Sequence, residues 1–147
     1  MLTTTNTLAK VVSLYISRAS EPSRLNKNEL ILDDSGVLGD KFYGKDICRA
    51  ILVTSLDAYR LAKDAGIDID YGALGENILI DGNIKDMDLG ETFKIGDLVF
   101  EITQHCTLCN GLSKIDPKLP KLLKDDRGIF IKAVNAGSIK TDDMLYV

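Results

Sequence analysis

The stretch that decides the fold is Glu91-Thr-Phe-Lys-Ile-Gly-Asp-Leu-Val-Phe-Glu-Ile-Thr-Gln-His-Cys-Thr-Leu-Cys109. Residues 91–95 and 98–103 have the composition of strands, and Gly96-Asp97 separates them. Two strand-like runs joined by a two-residue glycine-containing turn are typical of a β-hairpin. We therefore predict a hairpin whose second strand leads directly into the cysteine-bearing segment 104–109.

Other parts of the chain also have the composition of short strands. The predicted strands are residues 10–17, 50–54, 77–80, 128–134 and the C-terminal 142–147, with one more near 30–32 and a turn at 135–137. A helix is predicted at 56–65, capped by Ser55 and ended by Gly66, and a second helical stretch at 116–123. About seven strands at this spacing indicate a mainly β, closed fold with one or two short helices.

Length, charge and cysteine usage limit the class of protein. The 147 residues suit one domain spanning 1–147, and a net charge of -4 disfavours nucleic-acid or anionic-membrane partners. No apolar run approaches the ~18 residues of a membrane-spanning helix. Three cysteines without a secretory signal predict a cytoplasmic protein with reduced thiols.

The segment 104–109 concentrates the most reactive side chains, since it holds the only histidine and two of the three cysteines. His105, Cys106 and Cys109 together with the distant Cys48 are a candidate structural zinc set. Cys106 and Cys109 also have the spacing of a redox dithiol. A single thiolate that binds a soft metal or carries sulfur is a third interpretation. The fourth is that both cysteines serve as small buried hydrophobes.

Two glycine-containing loops carry further candidate residues. Asp40 and Lys41 lie on a loop with three glycines between 36 and 44, where exposed amides and a cation can bind an anion. Arg49 follows and can hold a phosphate in a bidentate manner. In the second loop, 72–77, Glu76-Asn77 ends at a strand, and an asparagine amide both donates and accepts. Taken singly, each loop is better explained as a plain turn.

These segments, in this order, resemble the MOSC domain family, named after the C-terminal part of molybdenum cofactor sulfurases. The resemblance covers residues 9–147. The matching segments are Gly36-Val-Leu-Gly-Asp-Lys-Phe-Tyr-Gly44, Arg49-Ala-Ile-Leu-Val53, Gly72-Ala-Leu-Gly-Glu-Asn-Ile-Leu-Ile80, Met87-Asp-Leu-Gly-Glu-Thr-Phe-Lys-Ile-Gly-Asp97, Thr103-Gln-His-Cys-Thr-Leu-Cys109, residues 127–134 and residues 137–143.

The resemblance implies a MOSC β-barrel like that of pyruvate kinase, and binding of the molybdenum cofactor, a molybdopterin, or handling of its sulfur. The family's functional cysteine falls on Cys109, as catalytic residue and molybdenum ligand or as persulfide carrier. The residues expected to hold the cofactor are Arg49, Asn77, Lys41, Asp40, Glu76 and Gln104. Lys41 and Phe42 stand where many members have arginine and histidine.

A stand-alone domain of this family would depend on partners. The chain shows no pyridoxal-phosphate module, so that cofactor is expected only on a partner cysteine desulfurase, and electrons would come from an electron-donor protein. Related members suggest reduction of N-hydroxylated compounds. A homodimer is compatible with so small a barrel. The alternatives are a non-catalytic accessory or carrier domain of cofactor biosynthesis, and a structural zinc domain using Cys106 and Cys109.

Overall fold

The computed structural model describes residues 7–18, 25–106 and 110–147. Within these ranges the chain forms eleven strands and three helices. They are β1 (Thr7–Ile16), β2 (Leu25–Lys27), β3 (Glu29–Asp33), β4 (Gly36–Val37), β5 (Ile51–Ser55), α1 (Leu56–Asp64), β6 (Ile78–Ile80), β7 (Thr92–Ile95), β8 (Leu98–His105), α2 (Asn110–Ile115), α3 (Leu119–Leu122), β9 (Ile129–Ala133), β10 (Gly137–Lys140) and β11 (Met144–Tyr146).

Seven of the strands close into a barrel, which confirms the predicted mainly β architecture. Their order is β11-β7-β8-β9-β5-β6-β1, and the pairing of β1 with β11 completes the ring. β5 and β6 run parallel, while the other described neighbours in the ring are antiparallel. A small separate sheet, β10-β3-β4, packs beside the barrel. Closure leaves the ring without unpaired strand edges.

The predicted hairpin is confirmed as β7 and β8, which pair from Thr92 opposite Glu101 to Ile95 opposite Leu98. Phe93 and Phe100 lie directly across from each other in this register. Both side chains are buried, and their rings stack with centroids 5.7 Å apart. The turn places its glycine at a positive φ, as a two-residue hairpin connection requires.

Side chains of β5 and β9 alternate between the barrel interior and a second, outer cluster. Ile51, Val53, Ile129 and Ile131 belong to the large core inside the ring. Leu52, Phe130 and Cys106 form a separate three-residue cluster. Because successive strand residues point to opposite faces, this cluster lies on the outer side of the barrel wall. All five residues of β5 are buried, in agreement with the apolar run at residues 50–53.

The helices cover a different part of the outer surface. The Ser55 side chain caps α1 by accepting from the Asp57 amide at 3.1 Å, and the prediction of a helix over 56–65 is confirmed to within one residue. Ala58 and Ala62 on its buried face pack with residues of α2, α3 and β6. No helix within the described ranges is long and apolar enough to cross a membrane.

Several local assignments differ from the sequence-based expectations, and the short strands β2 and β4 were not predicted. Residues 110–115 form a helix, so that the described helices number three rather than one or two. Gly137 begins a strand where only a turn was predicted, and this strand pairs with β3 through Ser138 opposite Ile31. That partner lies more than a hundred residues away, and strand formation depends on such pairing more than on local composition.

Candidate functional site

A cavity of about 380 Å³ lies on the outer side of the barrel wall, over the cluster formed by Leu52, Phe130 and Cys106. Its walls come from the segment between β4 and β5, from the loop before β6, and from the ends of β8 and β9. The lining residues are Phe42, Lys45, Asp46, Arg49, Ala50, Leu52, Gly75, Asn77, Cys106, Arg127 and Phe130. We call this cavity the wall pocket.

The floor of the wall pocket is apolar and carries one thiol. Leu52 and Phe130 are cross-strand partners on β5 and β9, and both are at least nine-tenths buried. Cys106 follows β8 directly, and its amide donates to the carbonyl oxygen of Gly128 at 2.9 Å. This bond continues the β8–β9 ladder by one residue and orients the chain where it leaves the barrel. The thiol is buried against the two apolar side chains.

One rim of the pocket is an exposed segment, residues 41–49, which we call the strap. It supplies four lining residues: Phe42, Lys45, Asp46 and Arg49. All nine of its residues are exposed, so burial of apolar surface contributes little to holding it. Polar contacts anchor its ends instead. The Lys41 amide donates to the Ser17 carbonyl at 2.7 Å.

The far end of the strap is tied to β8. Thr103 Oγ1 and Gln104 Nε2 both donate to the carbonyl oxygen of Cys48, at 2.7 and 3.3 Å. The predicted cofactor-binding residue Gln104 therefore lies beside the pocket rather than in its lining, and it restrains the residue that precedes Arg49. In the middle of the strap, the Tyr43 hydroxyl donates to Asp33 at 2.6 Å.

The charges around the wall pocket favour an anionic ligand. Three cations, Lys45, Arg49 and Arg127, face one carboxylate, Asp46. The whole chain, in contrast, carries a net charge of -4. A local excess of positive charge on an acidic protein concentrates anions at that place and repels them elsewhere.

The structure brings together two of the predicted cofactor-binding residues at the wall pocket, namely Arg49 and Asn77. Asp40 is buried beneath the strap, where its carboxylate lies 3.3 Å from Asn77 Nδ2. Lys41 is exposed, with its ammonium 5.1 Å from the centre of the Phe42 ring, and does not belong to the lining. The predicted functional residue Cys109 lies outside the described residues.

Glu76 is fully buried on the other side of its loop, away from the wall pocket. Its Oε2 accepts from the Tyr59 hydroxyl at 2.6 Å and from the Gly72 amide at 3.0 Å. Burial, reinforced by the Glu76 carboxylate, raises the pKa of Tyr59 far above its ordinary value. Tyr59 therefore stays protonated: its hydroxyl donates to Glu76 and accepts from the Leu74 amide at 3.3 Å, and both bonds fix the 72–77 loop.

Sequence reasoning did not select Lys45, Arg127 or Phe130 as site residues. The signals available were weak: Lys45 follows a loop glycine, and Arg127-Gly128 precedes a strand. Gly128 has φ +136°, and a Cβ there would lie 2.8 Å from the Val53 carbonyl oxygen. Only glycine suits this close approach, which brings Arg127 against the barrel wall.

A second cavity, of about 440 Å³, adjoins the wall pocket and shares Cys106 and Arg127 with it. His105 lines this second cavity together with Lys124 and Asp125. Among the described residues, which do not include Cys109, no group of three or more His, Cys, Asp or Glu side chains is arranged to hold a metal ion.

Solved structures share this fold over almost the whole chain. YuaD from Bacillus subtilis has a TM-score of 0.84 at 18% identity, with 97% of each chain covered. YiiM from Geobacillus stearothermophilus has a TM-score of 0.74 at 17% identity, covering 95% of this chain and 75% of its own. YiiM from Escherichia coli has a TM-score of 0.69 at 19% identity, covering 94% and 69%. At such low identity the likeness concerns the fold alone.

Comparison with curated proteins found no match. The family model described as "MOSC domain" matches residues 33–146, which include the strap, both glycine loops, the β7–β8 hairpin and the cysteine segment. This match spans more than three quarters of the chain. The chain belongs to the MOSC domain family.

Proposed function

We propose that this protein binds the molybdenum cofactor, or carries its sulfur, in the wall pocket, with the Cys109 thiolate as molybdenum ligand or persulfide carrier. The observation that carries the proposal is the convergence of separate family segments on one cavity. Arg49 from the strap, Asn77 from the second glycine loop and Cys106 from the end of β8 all line it. In the sequence they are separated by 28 and 29 positions.

The lining fits the chemical parts of a pterin that carries a phosphate. Leu52 and Phe130 offer an apolar floor for a flat heterocycle, and aromatic rings favour offset stacking with such groups. Arg49 and Lys45 supply charge-assisted hydrogen bonds for a phosphate, and Arg127 also lines the cavity. A volume of about 380 Å³ falls within the range of small-molecule sites.

Each class of residue has a distinct role in this proposal. Arg49 and Lys45 bind the anionic group and lower the free energy of the complex. Phe130 and Leu52 exclude water from one face of the ring. Thiolates are the ligands that soft metals such as molybdenum prefer. When bound, the cofactor supplies two-electron redox chemistry at its metal, and the protein residues hold and orient it.

Cys109 follows the pocket residue Cys106 by three positions and immediately precedes α2. Three residues span at most about 11 Å even when fully extended. Chain length alone therefore keeps the Cα atoms of Cys106 and Cys109 within this distance. This placement of Cys106 supports Cys109 as the working thiolate, although Cys106 itself is a second candidate.

The proposed reaction needs partner proteins. As a sulfur carrier, the Cys109 thiolate would attack the outer sulfur of a desulfurase persulfide, take up that sulfur, and release the desulfurase thiolate. As a redox protein, the domain would reduce N-hydroxylated compounds with electrons from an electron-donor protein.

We place both activities in the cytoplasm, where thiols stay reduced. The oligomeric states to be tested include a homodimer.

Cofactor loading of single-cysteine variants tests the proposal. Cys109→Ser is expected to reduce bound molybdenum at least tenfold, measured by elemental analysis together with pterin fluorescence after extraction. Cys48→Ser is the matched control because Cys48 is exposed and does not line the pocket. Cys106→Ser shows whether the second thiol takes part. If wild type never loads, or neither Cys106 nor Cys109 matters, the ligand role is wrong.

The anion-binding role of the strap has its own test. Arg49→Gln is expected to weaken cofactor binding roughly 10- to 100-fold, because a hydrogen bond to a charged group contributes about 1.5–3 kcal/mol. Lys41→Gln is the control on the same strap, since its ammonium lies outside the lining. Equal affinities for the two variants would contradict the proposed position of the phosphate.

Mass spectrometry separates the ligand role from the carrier role. After incubation with a cysteine desulfurase and L-cysteine, a carrier gains about 32 Da at Cys109, the mass of one sulfur atom carried as a persulfide. If the protein loads molybdenum but does not gain this adduct, the result contradicts the carrier role and supports the ligand role. One tightly held zinc per chain would instead favour a structural site, and would contradict both roles of Cys109.

A further inference from the structure

We propose that Asp40 and Asn77 do not contact the ligand but are positioning residues. Their side chains form a buried pair, which we call the clasp, that sets the position of the strap and of its cations. This inference rests on the proposed function for its ligand, and it changes the role expected for two predicted cofactor-binding residues. The argument depends on which hydrogen-bonding groups of the two side chains are already used.

The Asn77 side chain has no donor left for a ligand. Its Nδ2 group carries two N–H donors. One donates to the Tyr15 carbonyl at 3.2 Å and the other to Asp40 Oδ1 at 3.3 Å. Its Oδ1 accepts from the Leu52 amide at 3.1 Å. The Asn77 side chain therefore bonds to the protein backbone and to Asp40, although Asn77 lines the pocket. The residue is almost fully buried.

Asp40 is also engaged with the protein. Besides the Asn77 amide, its Oδ1 accepts from the Ser17 amide at 2.7 Å, and its Oδ2 accepts from the Phe42 amide at 3.0 Å. The residue is only 5% exposed. A buried carboxylate that accepts three hydrogen bonds is stabilised where it is, and moving it would leave those donors unpaired.

The clasp joins three parts of the structure, namely β1, β5 and the strap. Asn77 is tied to β5 twice, since its backbone amide also donates to the Leu52 carbonyl at 2.9 Å. Asp40 is tied to the end of β1 through Ser17. The Asp40–Asn77 bond then connects the first residue before the strap to the barrel wall on which the ligand rests.

Hydrogen bonds from Lys41 and Tyr43 also hold the first half of the strap, and Asp40 holds the residue between them. The strap residues are all exposed, and Phe42, which lines the pocket, receives its backbone anchor directly from Asp40 Oδ2. Lys45 and Arg49 follow on the same segment. Without the clasp, Lys45 and Arg49 keep their charges, but we expect their side chains to occupy a wider range of positions. The ligand must then pay the entropy of ordering the strap when it binds.

Isosteric exchange of the two side chains tests this without removing volume. In Asn77→Asp, two carboxylates face each other where an amide faced a carboxylate, and the clasp opens. Adding Asp40→Asn to the same protein places an amide opposite the new carboxylate and restores a donor–acceptor pair. The Tyr15 carbonyl faces a carboxylate in both the single and the double variant. The Asp40 oxygen that faces Asn77 also accepts from the Ser17 amide, so Asp40→Asn is measured alone as well, and the double-mutant cycle over the three variants isolates the Asp40–Asn77 bond.

The first measurement uses the protein without cofactor. Amide nitrogen–proton spectra should show shifted or broadened strap signals in Asn77→Asp, with recovery in the double variant. The second titrates inorganic phosphate and then cofactor. The single variant is expected to bind cofactor at least tenfold more weakly than wild type, and the double variant at least threefold more tightly than the single. A residue that merely supports folding would not give this rescue.

The outcomes separate the inference from the proposed function. If Asn77→Asp stays folded and binds cofactor as wild type does, or if the exchange fails to recover both the strap signals and the affinity, the clasp does not position the strap. If Asn77→Asp does not fold, the comparison of the double variant with Asp40→Asn decides by the same criteria. If wild type binds no cofactor, the proposed function fails, and the ligand-free strap spectra alone decide the inference.

Discussion

One part of the barrel wall is formed by the ends of β8, β9 and β5. Its inner face packs into the core, and its outer face borders the wall pocket. The inner face carries Ile51, Val53, Ile129 and Ile131, which pack into the continuous core. The outer face carries the apolar cluster of Leu52, Phe130 and Cys106, and beside it lies the wall pocket. Both clusters are apolar. Other side chains complete the packing on the inner face, whereas on the outer face a cavity remains.

The comparison shows how a small protein keeps a binding site without weakening its core. Closure of the ring fills the inner face from all sides, so apolar burial there contributes to stability. On the outer face, a strap held by hydrogen bonds covers the cluster incompletely. A ligand can then gain from apolar surface that the folded chain has left partly uncovered.

The largest effect is expected from truncating one aromatic residue on each face. Phe100→Ala removes a fully buried ring that stacks on Phe93, and should lower the free energy of unfolding by about 3–5 kcal/mol. Phe130→Ala borders an existing cavity, so we expect a loss of about 1–3 kcal/mol, together with weaker ligand binding. Urea unfolding measures both. Equal losses would mean that the two faces are packed alike.

A smaller effect is expected at Gly128, where the two faces meet. Gly128→Ala combines a φ of +136° with a Cβ that would lie 2.8 Å from the Val53 carbonyl oxygen. Strain and overpacking together should cost about 2–4 kcal/mol. The control is Gly44→Ala on the strap, which also has a positive φ but has open space around the added Cβ, and should cost about 1 kcal/mol. Thermal unfolding that ranks them in reverse would contradict the assigned contacts.

The smallest change in the free energy of unfolding at neutral pH is expected in the 72–77 loop. Tyr59→Phe removes the hydroxyl that donates to Glu76 and should cost about 1–3 kcal/mol. Because burial and then Glu76 raise the pKa of Tyr59, the native state keeps a proton that the unfolded chain loses near pH 10. Stability should therefore fall as pH rises above 10, with Tyr59 contributing roughly 1.4 kcal/mol per pH unit.

In Tyr59→Phe that contribution is absent, so the curve of stability against pH should be flatter than that of wild type above pH 10. Tyr43→Phe is the control: the pKa of Tyr43 is raised by its hydrogen bond to Asp33, but the residue is exposed and its effect should be smaller. Parallel curves for Tyr59→Phe and wild type would show that the hydroxyl is not held in the native state as described.

Local sequence was sufficient to predict those elements whose turn or capping residues lie within or next to the element. The β7–β8 hairpin has its own turn glycine, and α1 has its own cap at Ser55 and its stop at Gly66. The strand β10 was not predicted, because its identity depends on pairing with β3 more than a hundred residues earlier. The same reason applies to Arg127, which becomes a pocket residue only because Gly128 packs against Val53.

The sequence by itself determined the family, the barrel and the segments that matter, because glycine loops, hairpin turns and strand composition act over a few residues. Only the tertiary structure decided what the residues in those segments contact. Arg49 and Asn77 both reach the pocket, yet Asn77 has used its donors on Tyr15 and Asp40, whereas Lys45 and Arg127 join Arg49 at the lining. Hydrogen-bond partners and burial depend on distant segments that meet in space, and no local pattern specifies them.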